Sequence, residues 1–181
     1  AIDFSEKGWK AVVSTNLAFS LSRQRAGRVL LVDLDLRAPR LASIFGAREH
    51  FDLGAFLQSD APAEDHIRRV GPGLAVALNA HSTPDSSELI QDASLPVRLA
   101  ALQAEIGADY VIYDLSPLLV TDDAFAALAL VDAVMLVARA GVTRAAEVTE
   151  AERLIGDPNR FLGVMLNACD HAATVDEAYY G

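Results

Sequence analysis

Three observations predict an α/β fold built on a doubly wound, mostly parallel sheet. Short apolar runs alternate with helical stretches from one end of the chain to the other. Two of those runs, Val29 to Val32 and Tyr110 to Tyr113, are nearly continuous in apolar residues. Such runs mean burial on both faces, the mark of a central parallel strand. Neither internal repeats nor low-complexity linkers interrupt the pattern, so the 181 residues are expected to form one domain, 1–181, with a mobile tail from about residue 168.

The elements follow in order. Ile2 to Phe4 read as the end of a strand. Lys10 to Arg25 form a helix, because Val13, Leu17 and Leu21 recur every four residues, and Gly27 ends it. Val29 to Val32 follow as a strand, then short helical pieces at Leu41 to Phe45 and Leu53 to Leu57. Leu74 to Leu78 form the third strand, behind the breaker Gly71-Pro72-Gly73. Asp85-Ser86-Ser87-Glu88 carries a capping pattern, and Leu89 to Ile106 supply one helix behind it. Tyr110 to Tyr113 form a strand ending at Asp114, and Thr121 or Asp122 caps a helix through Leu130. A strand at Ala133 to Val137, a helix at Arg144 to Ile155 and a strand at Phe161 to Leu166 complete the pattern. The right-handed crossover rule lines the carboxyl ends of the strands along one edge, where open α/β sheets bind ligands.

Composition narrows the function. With 25 acidic against 15 basic side chains the net charge is −10, which argues against a nucleic-acid groove and against direct docking on an anionic membrane. The lone Cys169 excludes an internal disulfide framework and permits a reducing compartment. No apolar run approaches the ~18 residues of a membrane span. His50, His66, His81 and His171 show no metal-ligand spacing. The sequence opens almost inside a strand with no signal-peptide pattern, so a membrane-bound partner or domain is expected upstream.

The residues just past the apolar runs carry the chemistry. In SEKGWKAV, Lys10 stands where a phosphate-binding loop places its lysine, and Ser5, Lys7 and Gly8 resemble the start of such a loop. Trp9 precedes that lysine where a glycine is wanted, which raises a steric objection, and Ala11 follows it where a magnesium-binding hydroxyl is wanted. The competing reading is that Trp9 and Lys10 simply begin a surface helix. Asp33 and Asp35 lie two apart at a strand end and share a face if the strand extends that far. They can hold magnesium through water or serve as a base toward a hydroxyl, or they are ordinary strand-end acids. Asp114 ends the next central strand, Asp122 and Asp123 read as helix caps, and Asn167 offers an amide to an adenine edge or simply makes a turn. Tyr179 and Tyr180 are adjacent near the chain end, as phosphoacceptors or as packing aromatics.

NLAFSLSRQRAGRVLLVDLDLRAPRL, SSELIQD, DYVIYDLSPLLVTDDA, LVARAGVTR, FLGVMLN and YYG, in this order, resemble the bacterial tyrosine kinases, or BY-kinases. These lie within the wider MinD/ParA-type group of P-loop ATPases. The resemblance spans Ser5 to the tail and implies a P-loop NTPase architecture with ATP and Mg²⁺ as cofactors. Carried over, Asp33 and Asp114 would assist magnesium, Asp35 would be the base toward tyrosine, and Lys10 with Gly8 would contact phosphate. Asn167 would contact adenine, and Tyr179 and Tyr180 would begin a phosphorylated tyrosine cluster. The implied partner is a membrane-bound polysaccharide co-polymerase, the implied assembly a homo-oligomer, and the implied location cytoplasmic, at the membrane through that partner. Trp9, Ala11 and the short loop depart from the pattern. One lost electrostatic contact to a transition state costs about 3–4 kcal/mol, or ~10²–10³ in rate. The expectation is a catalytically impaired member with ATP binding weak or lost; an active autokinase and a positioning ATPase are the alternatives.

Overall fold

The structure, a computed structural model, describes residues 2–3, 8–24, 27–47, 51–59 and 61–169. The elements are Ile2–Asp3 (β1), Trp9–Ser22 (α1), Val29–Leu34 (β2), Leu41–Ile44 (α2), Leu53–Leu57 (α3), Arg68–Gly71 (β3), Leu74–Ala77 (β4), Ser86–Gln91 (α4), Leu95–Ile106 (α5), Tyr110–Leu115 (β5), Asp122–Ala127 (α6), Val134–Arg139 (β6), Ala145–Ile155 (α7) and Phe161–Asn167 (β7).

The continuous apolar run Val29 to Val32 sits where its composition demands. All of β2 is buried, between parallel neighbours β4 and β5, in a sheet ordered β3-β4-β2-β5. A second sheet is ordered β1-β6-β7, all parallel, and β1 also lies beside β5. Alternate residues of β2 feed two cores. Leu30, Val32 and Leu34 pack with Leu95, Leu99 and Leu102 of α5. Val29 and Leu31 pack with Ala11 and Ala18 of α1 and with Ile112 of β5. The period of two therefore turns Asp33 toward the α1 side, as it turns Asp114 beyond Ile112.

Three expectations need correction. The helix expected from Leu89 to Ile106 is two helices, α4 and α5. Pro96 lies in the first turn of α5, where its missing N–H costs nothing, and it cannot continue the helix before it. The capping box at Asp85 does not form: the residue is left-handed (φ 57°) and its side chain makes no cap bond, while its carbonyl accepts from Glu88 N–H (3.0 Å) and Leu89 N–H (3.1 Å). An unanticipated strand, β3, runs antiparallel to β4, and Gly71-Pro72-Gly73 is the turn between them. Arg68 and Arg69 on this wholly exposed edge left no apolar alternation to read, and charge there discourages edge-to-edge pairing.

Candidate functional site

The site forms where α1 begins above the ends of β2 and β5. Gly8 opens α1 with φ 72° and ψ 11°, a left-handed conformation that glycine adopts without penalty. The helix then carries Lys10 and, one turn on, Ser14 over the sheet. Asp33 and Asp114 are direct partners in the β2–β5 ladder and fully buried.

Lys10 is turned inward and is 4% exposed. Its Nζ donates to Asp35 Oδ2 at 2.9 Å and to the Leu115 carbonyl, and lies 3.4 Å from Asp114 Oδ2. Burial opposes its charge, but Asp114 and Asp35 outweigh that penalty and raise its pKa, so the ammonium stays protonated. Ser14 Oγ donates to Asp114 Oδ1 at 2.8 Å. Asp35 Oδ1 accepts from Ala38 N–H (3.2 Å) and Asp33 Oδ2 from Leu41 N–H (3.2 Å), so the Arg37–Leu41 turn hangs from both carboxylates. β2 ends at Leu34, so Asp35 lies beyond the ladder, and it is Asp35 rather than Asp33 that reaches the lysine. Desolvation, and then the charge of Asp114, push Asp33 well above the usual carboxylate range against the pull of Lys10. Burial raises Asp114 too, with Lys10 and Ser14 pulling the other way.

Among the described residues, two oxygens in this cluster, Asp33 Oδ1 and Asp114 Oδ2, are buried without a hydrogen-bond partner, although Asp114 Oδ2 is ion-paired with Lys10 at 3.4 Å. Paired oxygens on neighbouring strands fit Mg²⁺, which takes one or two carboxylates and completes its shell with water and phosphate. Among the described residues no group of three or more His, Cys, Asp or Glu side chains is arranged to hold an ion unaided. Beside Asp35 and Lys10 opens a cleft of ≈ 370 Å³ lined in part also by Gly8, Arg37, Arg40 and Thr121, with Asp33 and Asp114 buried behind it.

Trp9 does not line this cleft; its ring lies under the Arg139 guanidinium, 5.3 Å from the ring centroid. The first residue of the helix thus directs its indole away from this cleft. Ala11 is fully buried and offers only a methyl group. Asn167 stands at the end of β7 outside the cleft, with its Oδ1 accepting from Ala168 N–H at 2.8 Å. Asp123 is no helix cap. Arg37 Nε donates to its Oδ2 at 2.6 Å and Ser87 Oγ to its Oδ1 at 2.7 Å, across α4 and α6. Those hydrogen bonds overcome its desolvation and hold its pKa below the ordinary value. Tyr179 and Tyr180, Ser5 and Lys7 lie outside the described residues. Sequence reasoning missed Ser14, whose signal was its position four residues after Lys10 on one helix face. It also missed the Arg37–Asp123 pairing, whose partners are 86 positions apart.

No family model matches this sequence. The tyrosine-protein kinase CpsD of Streptococcus agalactiae serotype III (strain NEM316) is 32% identical over 162 residues, covering 87% of this chain and 68% of that protein. The kinase domain of VpsO superposes with a TM-score of 0.81 at 29% identity, covering 93% of this chain and 83% of that one. The kinase domain of the Escherichia coli tyrosine kinase ETK gives 0.83 at 27% identity, covering 98% and 69%. No helix among the described residues is long and apolar enough to cross a membrane. The identity to CpsD across more than two thirds of that protein, on the same fold, shows that this chain belongs to the family of bacterial tyrosine kinases.

Proposed function

We propose that this domain works in capsule or exopolysaccharide assembly as a catalytically impaired BY-kinase, regulating a membrane-bound polysaccharide co-polymerase through that protein's cytoplasmic segment. The observation that carries the impairment is the double loss at the head of α1. Lys10 is engaged by Asp35, Asp114 and the Leu115 carbonyl, and Ala11 supplies no hydroxyl. Each missing contact to a transferring phosphoryl group costs about 3–4 kcal/mol.

The residues still fit the family's cofactors. Asp33 and Asp114 would hold Mg²⁺ through the two oxygens that carry no hydrogen bond, Asp114 Oδ2 shifting from its ion pair with Lys10. Gly8 admits close backbone approach to phosphate. Bound Mg²⁺ would neutralise charge on the phosphates. Asp35 lines the cleft and is proposed as the base toward a tyrosine hydroxyl, with its Oδ2 held by Lys10. Asn167 is proposed as the adenine contact and Tyr179 and Tyr180 as the phosphoacceptors of neighbouring copies.

Calorimetric titration with ATP–Mg²⁺, followed by a phosphotyrosine blot after incubation with ATP, tests this reading. Weak binding with no phosphotyrosine is expected; micromolar binding with phosphotyrosine lost in Asp35→Asn overturns it. That second outcome would establish an active autokinase. The observation favouring this alternative is that Trp9 stays outside the cleft while Gly8 keeps the left-handed entry.

A further inference from the structure

Among the described residues three cationic side chains line the cleft, and two are already engaged. Lys10 is bound to carboxylates beneath the cleft, as described. Arg37 grips Asp123 through Nε (2.6 Å) and Nη2 (3.3 Å), and Nη2 also donates to Ser87 Oγ. Each is held by charge-assisted hydrogen bonds that a ligand would have to break.

Arg40 is the third. It is exposed, and its guanidinium has no ion-pair or hydrogen-bond partner among the described residues. Its stem lies over Gly8: a Cβ placed there would meet Arg40 Cγ at 3.5 Å, Cβ at 3.8 Å and Cδ at 3.9 Å. Its backbone is fixed. The Arg40 carbonyl accepts from Ser43 Oγ at 2.7 Å, and the flanking Ala38 and Leu41 N–H groups are tied to Asp35 and Asp33. Pro39 stiffens the turn between them. A long planar donor with free N–H groups is thus aimed from a rigid base across the glycine where the backbone can approach an anion. Arginine suits that task because its fork pairs two phosphate oxygens at once.

We propose that Arg40 is the cationic residue that grips the phosphates of a nucleotide in this cleft, while Lys10 remains the internal counter-ion of Asp35 and Asp114. The assignment rests on the reading of the cleft as a nucleotide site. Charge supplied from the Arg37–Leu41 turn adds to that of the α1 lysine, whose ammonium is already held by Asp35, Asp114 and the Leu115 carbonyl. The same turn is fastened to Asp33 and Asp35, so any ligand that draws on these carboxylates also acts on the base that carries Arg40.

The test is a fluorescence titration of the full chain with a ribose-labelled ATP analogue and Mg²⁺, with unlabelled ATP and adenosine as competitors. Arg40→Ala should weaken ATP at least tenfold and adenosine less than twofold. Arg40→Lys should recover part of the loss, and the remote exposed variant Arg153→Ala should change neither. Because Arg40 is exposed, Arg40→Ala is expected to fold, and its thermal melt checks this. Unchanged ATP affinity in a folded Arg40→Ala overturns the assignment and leaves the nucleotide reading standing. Failure of the unaltered chain to bind ATP at millimolar concentration overturns that reading, and the assignment with it.

Discussion

Lys10 Nζ lies 2.9 Å from Asp35 Oδ2, and the two side chains are 5% and 9% exposed. The pair sits among further buried acids, so the lysine holds together a cluster that would otherwise repel itself. Removing one partner of a buried pair costs about 3–5 kcal/mol, since it strands the other charge. Lys10→Met should therefore lose about that much stability in urea unfolding, while Lys10→Met with Asp35→Asn should lose clearly less. Equal losses in the two variants would show that the pair is not coupled.

Asp33 sits on the opposite side of that balance. It is fully buried, Oδ1 has no hydrogen-bond partner among the described residues, and desolvation together with Asp114 disfavours its charge. Asp33→Asn keeps an oxygen for the Leu41 N–H and removes the charge. Thermal unfolding without ligand should show the variant more stable, by on the order of 1–3 kcal/mol. A lower melting temperature would mean that Asp33 is compensated in a way its surroundings do not reveal.

Much of this is legible in the sequence. The strand runs at Val29 and Tyr110 announced central strands because double burial needs unbroken apolar sequence, and Asp33 and Asp114 follow from where those runs end. Lys10 was legible by its place at the head of a helix. The direction of its side chain was not, because that depends on Asp35 and Asp114, which are 25 and 104 positions away in sequence but adjacent in space. The same holds for Asp123: a first-turn acid reads as a cap locally, and only the fold brings it Ser87 from α4 and Arg37 from the turn after β2. Trp9 shows the same limit. Residue type shows the bulk of an indole but not its exit direction, which Arg139 on β6 helps to set.

The Arg37–Asp123 pair gives the molecule an acid-sensitive fastening between the Arg37–Leu41 turn and α6. Desolvation works to raise the Asp123 pKa, but the hydrogen bonds from Arg37 and Ser87 prevail and lower it below 3.8. A carboxyl lowered on folding adds stability above its unfolded pKa, and that contribution is lost as pH falls through the folded pKa. The window therefore opens just below pH 4. Arg37→Gln should cost about 1–3 kcal/mol near pH 7, because a buried carboxylate loses its charged donor. Unfolding curves for the two proteins should converge as pH falls below that window. A gap that stays constant down to pH 2 would assign the loss to packing of the arginine stem.

The two departures at the head of α1 predict different repairs. Trp9 lies outside the cleft against Arg139, so Trp9→Ala should leave ATP affinity within about threefold and only lower stability, by roughly the 0.5–2 kcal/mol of a cation–π contact. Ala11 is the buried methyl beside Lys10, and Ala11→Ser puts a hydroxyl there, one turn before Ser14. That variant should bind ATP more tightly in Mg²⁺ than in EDTA, by tenfold or more, a dependence the unaltered chain should show weakly. Any phosphotyrosine should rise ~10²-fold with it, the scale of one restored electrostatic contact. Titrations of the three proteins with and without Mg²⁺ decide the matter. If Trp9→Ala restores binding and Ala11→Ser does not, the obstruction is steric after all, and the missing hydroxyl is not what disables this domain.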